Sequence, residues 1–131
     1  MTENEIGKIV VDCAYQVHSK LGPGLLESVY EAILSHELRK RGLTVERQVP
    51  IPIVYDGLQF EEGFRADIVV AGLVILELKS VEEVQRVHKK QLLTYRKLTD
   101  KRLGYVVNFG TEVIRDGIFR VSNGAPDWRE G

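Results

Sequence analysis

The sequence is most informative first for what it holds little of. There is a single cysteine, Cys13, so no internal disulfide can form. It sits at an apolar helical position, which fits a core residue better than a nucleophile and points to a reducing compartment, the cytoplasm. No apolar run approaches the ~18–20 residues of a membrane helix, so no membrane association is expected. Met1 is followed by the acidic, polar Thr2-Glu3-Asn4-Glu5, which is unlike a secretory signal. Charge of one sign is also lacking: 18 basic against 19 acidic residues give a formal net charge of -1. Nucleic-acid binding would therefore need a local basic patch. His18, His36 and His88 are scattered, which argues against zinc. No Walker loop, GxGxxG or serine elbow is present.

What is present suits one globular domain: 131 residues, 44% hydrophobic and 28% charged. Ile6, Ile9, Val10, Cys13, Ala14, Val17 and Leu21 share one stripe of a helix over about 3–21, with Thr2 and Glu5 as a capping box. Gly22-Pro23-Gly24 breaks the chain, and a second helix runs from about Leu25 to Arg41, closed by Gly42. Residues 44–49 and 51–55 read as strand, with Pro50 and Pro52 marking an edge or bulge. Asp56-Gly57 is a hairpin signal leading to a long strand, 58–70, bent near Gly63. Strands at 73–79 and 104–109 flank a third helix, 82–99, and form a candidate parallel pair. A last hairpin is expected from 113–115 and 118–121. The expected class is α+β with a mixed sheet: one domain over 1–121 and a turn-rich C-terminal tail over 122–131.

Several polar residues stand where an ordinary core would be apolar. Glu27 falls between Leu34 and Leu38 on the helical wheel, beside Tyr30; a first-turn acid stabilised by the helix dipole is the alternative. Asp67, Glu77 and Lys79 end two continuous apolar runs, Ile68–Val70 and Leu73–Leu76, where charges are costly unless paired or bound to a cation. Glu77 and Lys79 are two apart and share a face. Asp67 joins them only if the turn has three residues, Ala71-Gly72-Leu73, with Gly72 at positive φ; a two-residue turn would set Asp67 opposite Leu76. Salt bridges at the sheet edge are the alternative. Gln91 lies on a stripe with Val84, Val87, Tyr95 and Leu98, next to His88, and is either a site residue or a structural amide. Arg86, Lys89, Lys90, Arg96, Lys97, Lys101 and Arg102 form a basic run, mostly on the opposite face, which is either solvated or in contact with phosphates. Leu93 among them hints at an interface.

Carboxylates from adjacent strands with a third from a helix make a hard oxygen site, suited to Mg²⁺ or Mn²⁺. With a lysine alongside, such a site can hydrolyse a phosphodiester. Asp67, then Glu77-Leu78-Lys79, resembles the PD-(D/E)XK nuclease signature. Gly24-Leu25-Leu26-Glu27-Ser28-Val29-Tyr30 is similar to the GxxExxY motif of a family placed in that superfamily, as are Gly63-Phe64-Arg65-Ala66-Asp67, His88-x-x-Gln91-Leu92-Leu93-x-Tyr95 and Asn108-Phe109-Gly110. Ala66 replaces the superfamily's usual proline. The resemblance implies a restriction-endonuclease-like αβββαβ core with helices flanking a central mixed sheet. It implies Asp67, Glu77, Glu27 and the Leu78 carbonyl as metal ligands and Lys79 as the catalytic lysine. Gln91, Tyr95, Tyr30 and His88 would border the site. Two functions follow: a metal-dependent nuclease acting on DNA, or a catalytically silent module that binds nucleic acid or protein on the same fold. Hydrolysis of a small phosphate ester is a weaker third. Substrate grip would come from a homodimer or a protein partner.

Overall fold

The computed structural model describes residues 1–98 and 103–122, with the side chains of all of these but 95–98. Helix α1 (Glu3–Leu21) starts where the capping box predicts, the Glu5 N–H donating to Thr2 Oγ1 at 3.2 Å. Helix α2 (Glu27–Lys40) begins two residues later than expected and ends before Gly42, whose φ of 84° makes it the left-handed cap.

A sheet follows in the order β1-β2-β3-β4-β5. Strands β1 (Val45–Tyr55) and β2 (Leu58–Val70) form a long antiparallel hairpin closed by Asp56-Gly57, both at positive φ. The prolines lie in β1, the edge strand, and its register shifts between Ile51 and Ile53. Strand β3 (Val74–Lys79) pairs antiparallel with β2 and parallel with β4 (Leu103–Asn108), as the sequence predicts for strands flanking helix α3 (Arg86–Leu98). Strand β5 (Ile118–Ser122) closes the sheet against β4. The expected tail thus starts in a strand at Ser122, and the rest of it lies outside the described residues.

Two expected elements differ. Residues 113–115 are not a strand: a 3₁₀ turn, Ile114–Gly117, reverses the chain, and Ile114 is drawn into the core. Helix α3 starts at Arg86 rather than Glu82, because the preceding segment is tied to β4 instead. Fully buried Asn108 accepts from the Val81 N–H at 3.0 Å and donates to the Val81 carbonyl at 2.9 Å, as a strand partner would.

The sheet has two unequal faces. Helices α1 and α2 cover one, where Ile6, Val10, Cys13, Tyr30, Leu34 and Leu38 pack on Ile68, Val70, Val74, Leu76 and Leu78. Cys13 is fully buried there, and burial pushes its thiol pKa up, as befits a core cysteine. Helix α3 covers the other, where Val69, Ile75 and Val106 meet Leu92. Gly104 makes the room: a Cβ there would sit 3.0 Å from Leu92 Cδ1. Leu93, the candidate interface residue, is half-buried against this same cluster. Among the described residues no helix is long and apolar enough to cross a membrane.

Candidate active site

The site forms where β2 and β3 part. Their pairing runs Val70↔Val74, Val69↔Ile75, Ile68↔Leu76, which is the three-residue turn that charge parity requires. Gly72 has φ 67°, as expected, and Ala71 joins it at 53°. One residue further in this register Asp67 stands opposite Glu77. The ladder ends there, and the Leu78 N–H instead donates to Asp67 Oδ2 at 2.7 Å. Glu77 and Lys79 alternate with Leu76 and Leu78, so they share the face of Ile75, on the α3 side. Among the described residues no salt bridge involves Asp67, Glu77 or Lys79, so the edge ion-pair alternative does not hold.

This arrangement perturbs both acids. Burial, then the charge of Asp67, lifts the Glu77 carboxyl to about 8, while Lys79 pulls it down. Burial also raises Asp67, with Glu31 adding to the rise and the Leu78 N–H, Gln48 and Lys79 opposing it. Glu77 Oε1 is buried without a hydrogen-bond partner. A buried acceptor without a partner costs free energy, and one so placed suits a cation. Two carboxylates and a backbone carbonyl fit Mg²⁺ or Mn²⁺, which keep several waters.

The other expected residues are placed differently. Among the described residues no three of His, Cys, Asp and Glu converge as a metal cluster, so Glu27 does not complete a triad of acids. Glu27 is instead the exposed first residue of α2, where its charge suits the helix N-terminus. It stays on the rim: Ser80 Oγ, just past Lys79, donates to the Leu25 carbonyl at 2.7 Å, and both Lys79 and Glu27 act on His88. Half-buried His88 accepts the Gln85 N–H at Nδ1, 3.2 Å away. Burial first, then Lys79, lowers its pKa. Tyr30 borders nothing open. It is fully buried, stacked on Phe109 at 4.5 Å, and its hydroxyl donates to the Gly22 carbonyl at 2.5 Å and accepts from the Leu25 N–H. It therefore pins the loop that leads into Glu27.

Gln91 is exposed, and Leu92 takes the buried position the stripe assigned to it. Val87 is exposed with it, 54% accessible, so the helix is turned by about one residue from expectation. Tyr95 lies on α3, but its side chain is outside the described ones. Of the basic run, Arg86 and Lys90 are exposed and Lys89 lies over the Phe119 ring at 3.8 Å; the side chains from Arg96 onward are outside the described ones.

Glu31 and Gln48, two residues that act on Asp67, were not singled out in the sequence. Glu31 is buried, paired with Arg47 Nε at 2.9 Å and accepting from Gln48 Nε2 at 2.7 Å. It lies three residues before Leu34 and seven before Leu38, so helical spacing alone marks it as inward-facing.

A family model described as the PD-(D/E)XK nuclease superfamily matches residues 4–121. The chain belongs to this superfamily. Its five-strand mixed sheet flanked by helices agrees with the restriction-endonuclease-like fold, and membership supports a phosphodiester-hydrolysing nuclease with a nucleic-acid substrate. No curated protein and no solved structure matches the chain significantly. In this PD-(D/E)XK chain Asp67, Glu77 and Lys79, the residues that resemble the signature, fall where the described pairing of β2 with β3 ends.

Proposed function

We propose that the chain is a divalent-ion-dependent nuclease acting on DNA, of the GxxExxY type within its superfamily. The observation that carries this reading is the unpartnered, buried Glu77 Oε1 beside the Asp67 carboxylate, with Lys79 on the same face. Asp67, Glu77 and the Leu78 carbonyl would hold Mg²⁺ or Mn²⁺. When bound, that cation supplies Lewis acidity and neutralises charge building on the phosphate.

The remaining work falls to the chain. The Leu78 N–H fixes Asp67 Oδ2, so one carboxylate is oriented before substrate arrives. Lys79 donates hydrogen bonds to the attacking water or to a phosphate oxygen as negative charge develops. His88, with Nδ1 engaged by the Gln85 N–H, has Nε2 as its donor in the neutral form and can meet a neighbouring phosphate. Glu27 sits at the rim and acts through water rather than as a direct ligand. Exposed Gln91, Arg86 and Lys90 on α3 supply contacts to the DNA backbone. A second copy or a protein partner would extend the grip of so small a domain.

The test is cleavage of end-labelled linear and circular DNA, single- and double-stranded, with Mg²⁺, Mn²⁺ or EDTA. Wild type and identically purified Asp67→Asn are compared. Cleavage that needs the ion and disappears in the variant supports the nuclease. Linear against circular substrate separates exonuclease from endonuclease. Equal activity in both proteins, or none in either, favours a binding module that keeps the fold without the chemistry.

A further inference from the structure

Strand β1 does something unusual opposite the site. Its ladder with β2 runs Arg47↔Ile68 and then Val49↔Ala66, passing over Gln48 and Asp67. Gln48 has φ 52°, left-handed backbone that a non-glycine residue rarely adopts within a strand. Such strain persists only where surrounding contacts impose it, and it gathers at functional sites. Here Arg65 Nη1 donates to the Gln48 carbonyl at 3.1 Å, and Glu62 in turn holds Arg65 at 2.8 Å.

The result is to aim the Gln48 side chain between two carboxylates. Its Nε2 lies 2.7 Å from Glu31 Oε1 and 3.4 Å from Asp67 Oδ1. An amide NH₂ carries two hydrogens, one for each acid, whereas the amide oxygen could serve neither while they are ionised. Glu31, buried and anchored by Arg47, therefore decides which end of the amide faces Asp67. Asp67 is then held at both oxygens, Oδ2 by the Leu78 N–H and Oδ1 by Gln48. The charges act in the same sense: burial raises Asp67 most, Glu31 adds to that, and the Gln48 amide opposes it.

We propose that Gln48, set in place by Glu31, is a positioning residue for the Asp67 carboxylate. This rests on the reading of Asp67 as a metal-site carboxylate. Gln48 acts through Asp67, whose Oδ1 it meets. Groups that orient metal-binding side chains typically change metal affinity by about 10–100-fold when removed.

The experiment is Mn²⁺ titration of the metal-free protein, followed by the paramagnetic resonance signal of free Mn²⁺, with thermal melting alongside. Gln48→Gly removes the amide, which costs its hydrogen bond to Glu31, and suits the left-handed backbone, which offsets that cost, so its melting temperature should stay close to that of wild type. Its Mn²⁺ affinity should fall by about tenfold or more. Wild-type affinity in Gln48→Gly, with binding lost in Asp67→Asn, would overturn the positioning role and leave the site reading standing. A lowered melting temperature accompanying the weaker binding would assign Gln48 to the fold and overturn the role as well. Equal Mn²⁺ binding by wild type and Asp67→Asn would overturn the site reading and this inference together.

Discussion

The two faces of the sheet are built to different ends. Under α1 and α2, Ile68 and Val70 of β2, Val74, Leu76 and Leu78 of β3, and Leu103, Tyr105 and Val107 of β4 all lie in the core, and Tyr30, Leu34 and Leu38 close over them. Under α3, Val69, Ile75 and Val106 of the same strands lie in the core, and β3 continues on that face with Glu77 and Lys79, Asp67 standing opposite Glu77. One strand, β3, thus carries core on one side, at Leu76 and Leu78, and the candidate site on the other, at Glu77 and Lys79. The alternation of a pleated strand makes both possible within four residues. The lesson is that the site is rigid because the opposite face is packed: the backbone bearing Glu77 is held by leucines it never meets.

The comparison can be broken from the packed side first. Leu76→Ala should cost about 2–5 kcal/mol in urea denaturation, as large-to-small changes in full cores do. Leu92→Ala, in the thinner layer beside Gly104, should fall at the low end of that range. Equal losses would mean that the faces do not differ in packing.

The two acids of α2 offer a second contrast. Glu31→Gln weakens a charged hydrogen-bond pair whose acid is buried and whose Arg47 is half-exposed, and should cost about 1.5 kcal/mol. Exposed Glu27→Gln removes only a first-turn charge and should cost less than about 1 kcal/mol. Thermal melting of the pair decides between these roles.

The site's own strain has a pH signature. Glu77 is raised in the folded protein to about 8 from an unfolded value of 4.5. The folded state then binds the proton more tightly, so its stability is full below about 4.5 and declines as pH rises towards 8. The melting temperature of the metal-free protein in EDTA should fall by several degrees over that window. Glu77→Gln should flatten the fall, and a fall unchanged by the substitution would contradict the assignment.

A smaller effect is local to the turn that sets the register. Ala71 has φ 53°. Ala71→Gly should stabilise the protein by up to about 1 kcal/mol, measured as a small rise in melting temperature.

Much of this was legible beforehand because the clues were periodic. For Asp67 to join Glu77 and Lys79 on one face, the turn had to have three residues, and the strands adopt that turn. The parallel pair and the edge position of the prolines followed from spacing in the same way. Helix α3 was harder, because Gln91 and Leu92 are neighbours and a shift of one residue decides which of them is buried. The choice rests on the gap at Gly104, twelve residues beyond Leu92 and on another element. Glu27 drew attention as the motif acid, yet it stands at the very start of its helix, where wheel position says least about burial. Glu31 had the better spacing and no motif. Gln48 had neither, since nothing in its neighbours announces a left-handed residue in a strand.

The central claim is that the parting of β2 and β3 is a hydrolytic site and not merely a binding one. Lys79 tests it most directly, because the account gives it a part in the chemistry and none in holding the ion. The measurement is the rate of Mg²⁺-dependent DNA cleavage by Lys79→Ala beside wild type, with Mn²⁺ affinity determined on the same preparations. The account predicts a loss of about 10²–10³ in rate, the usual effect of removing one group aimed at developing charge, with ion binding retained. Cleavage at the wild-type rate would contradict it.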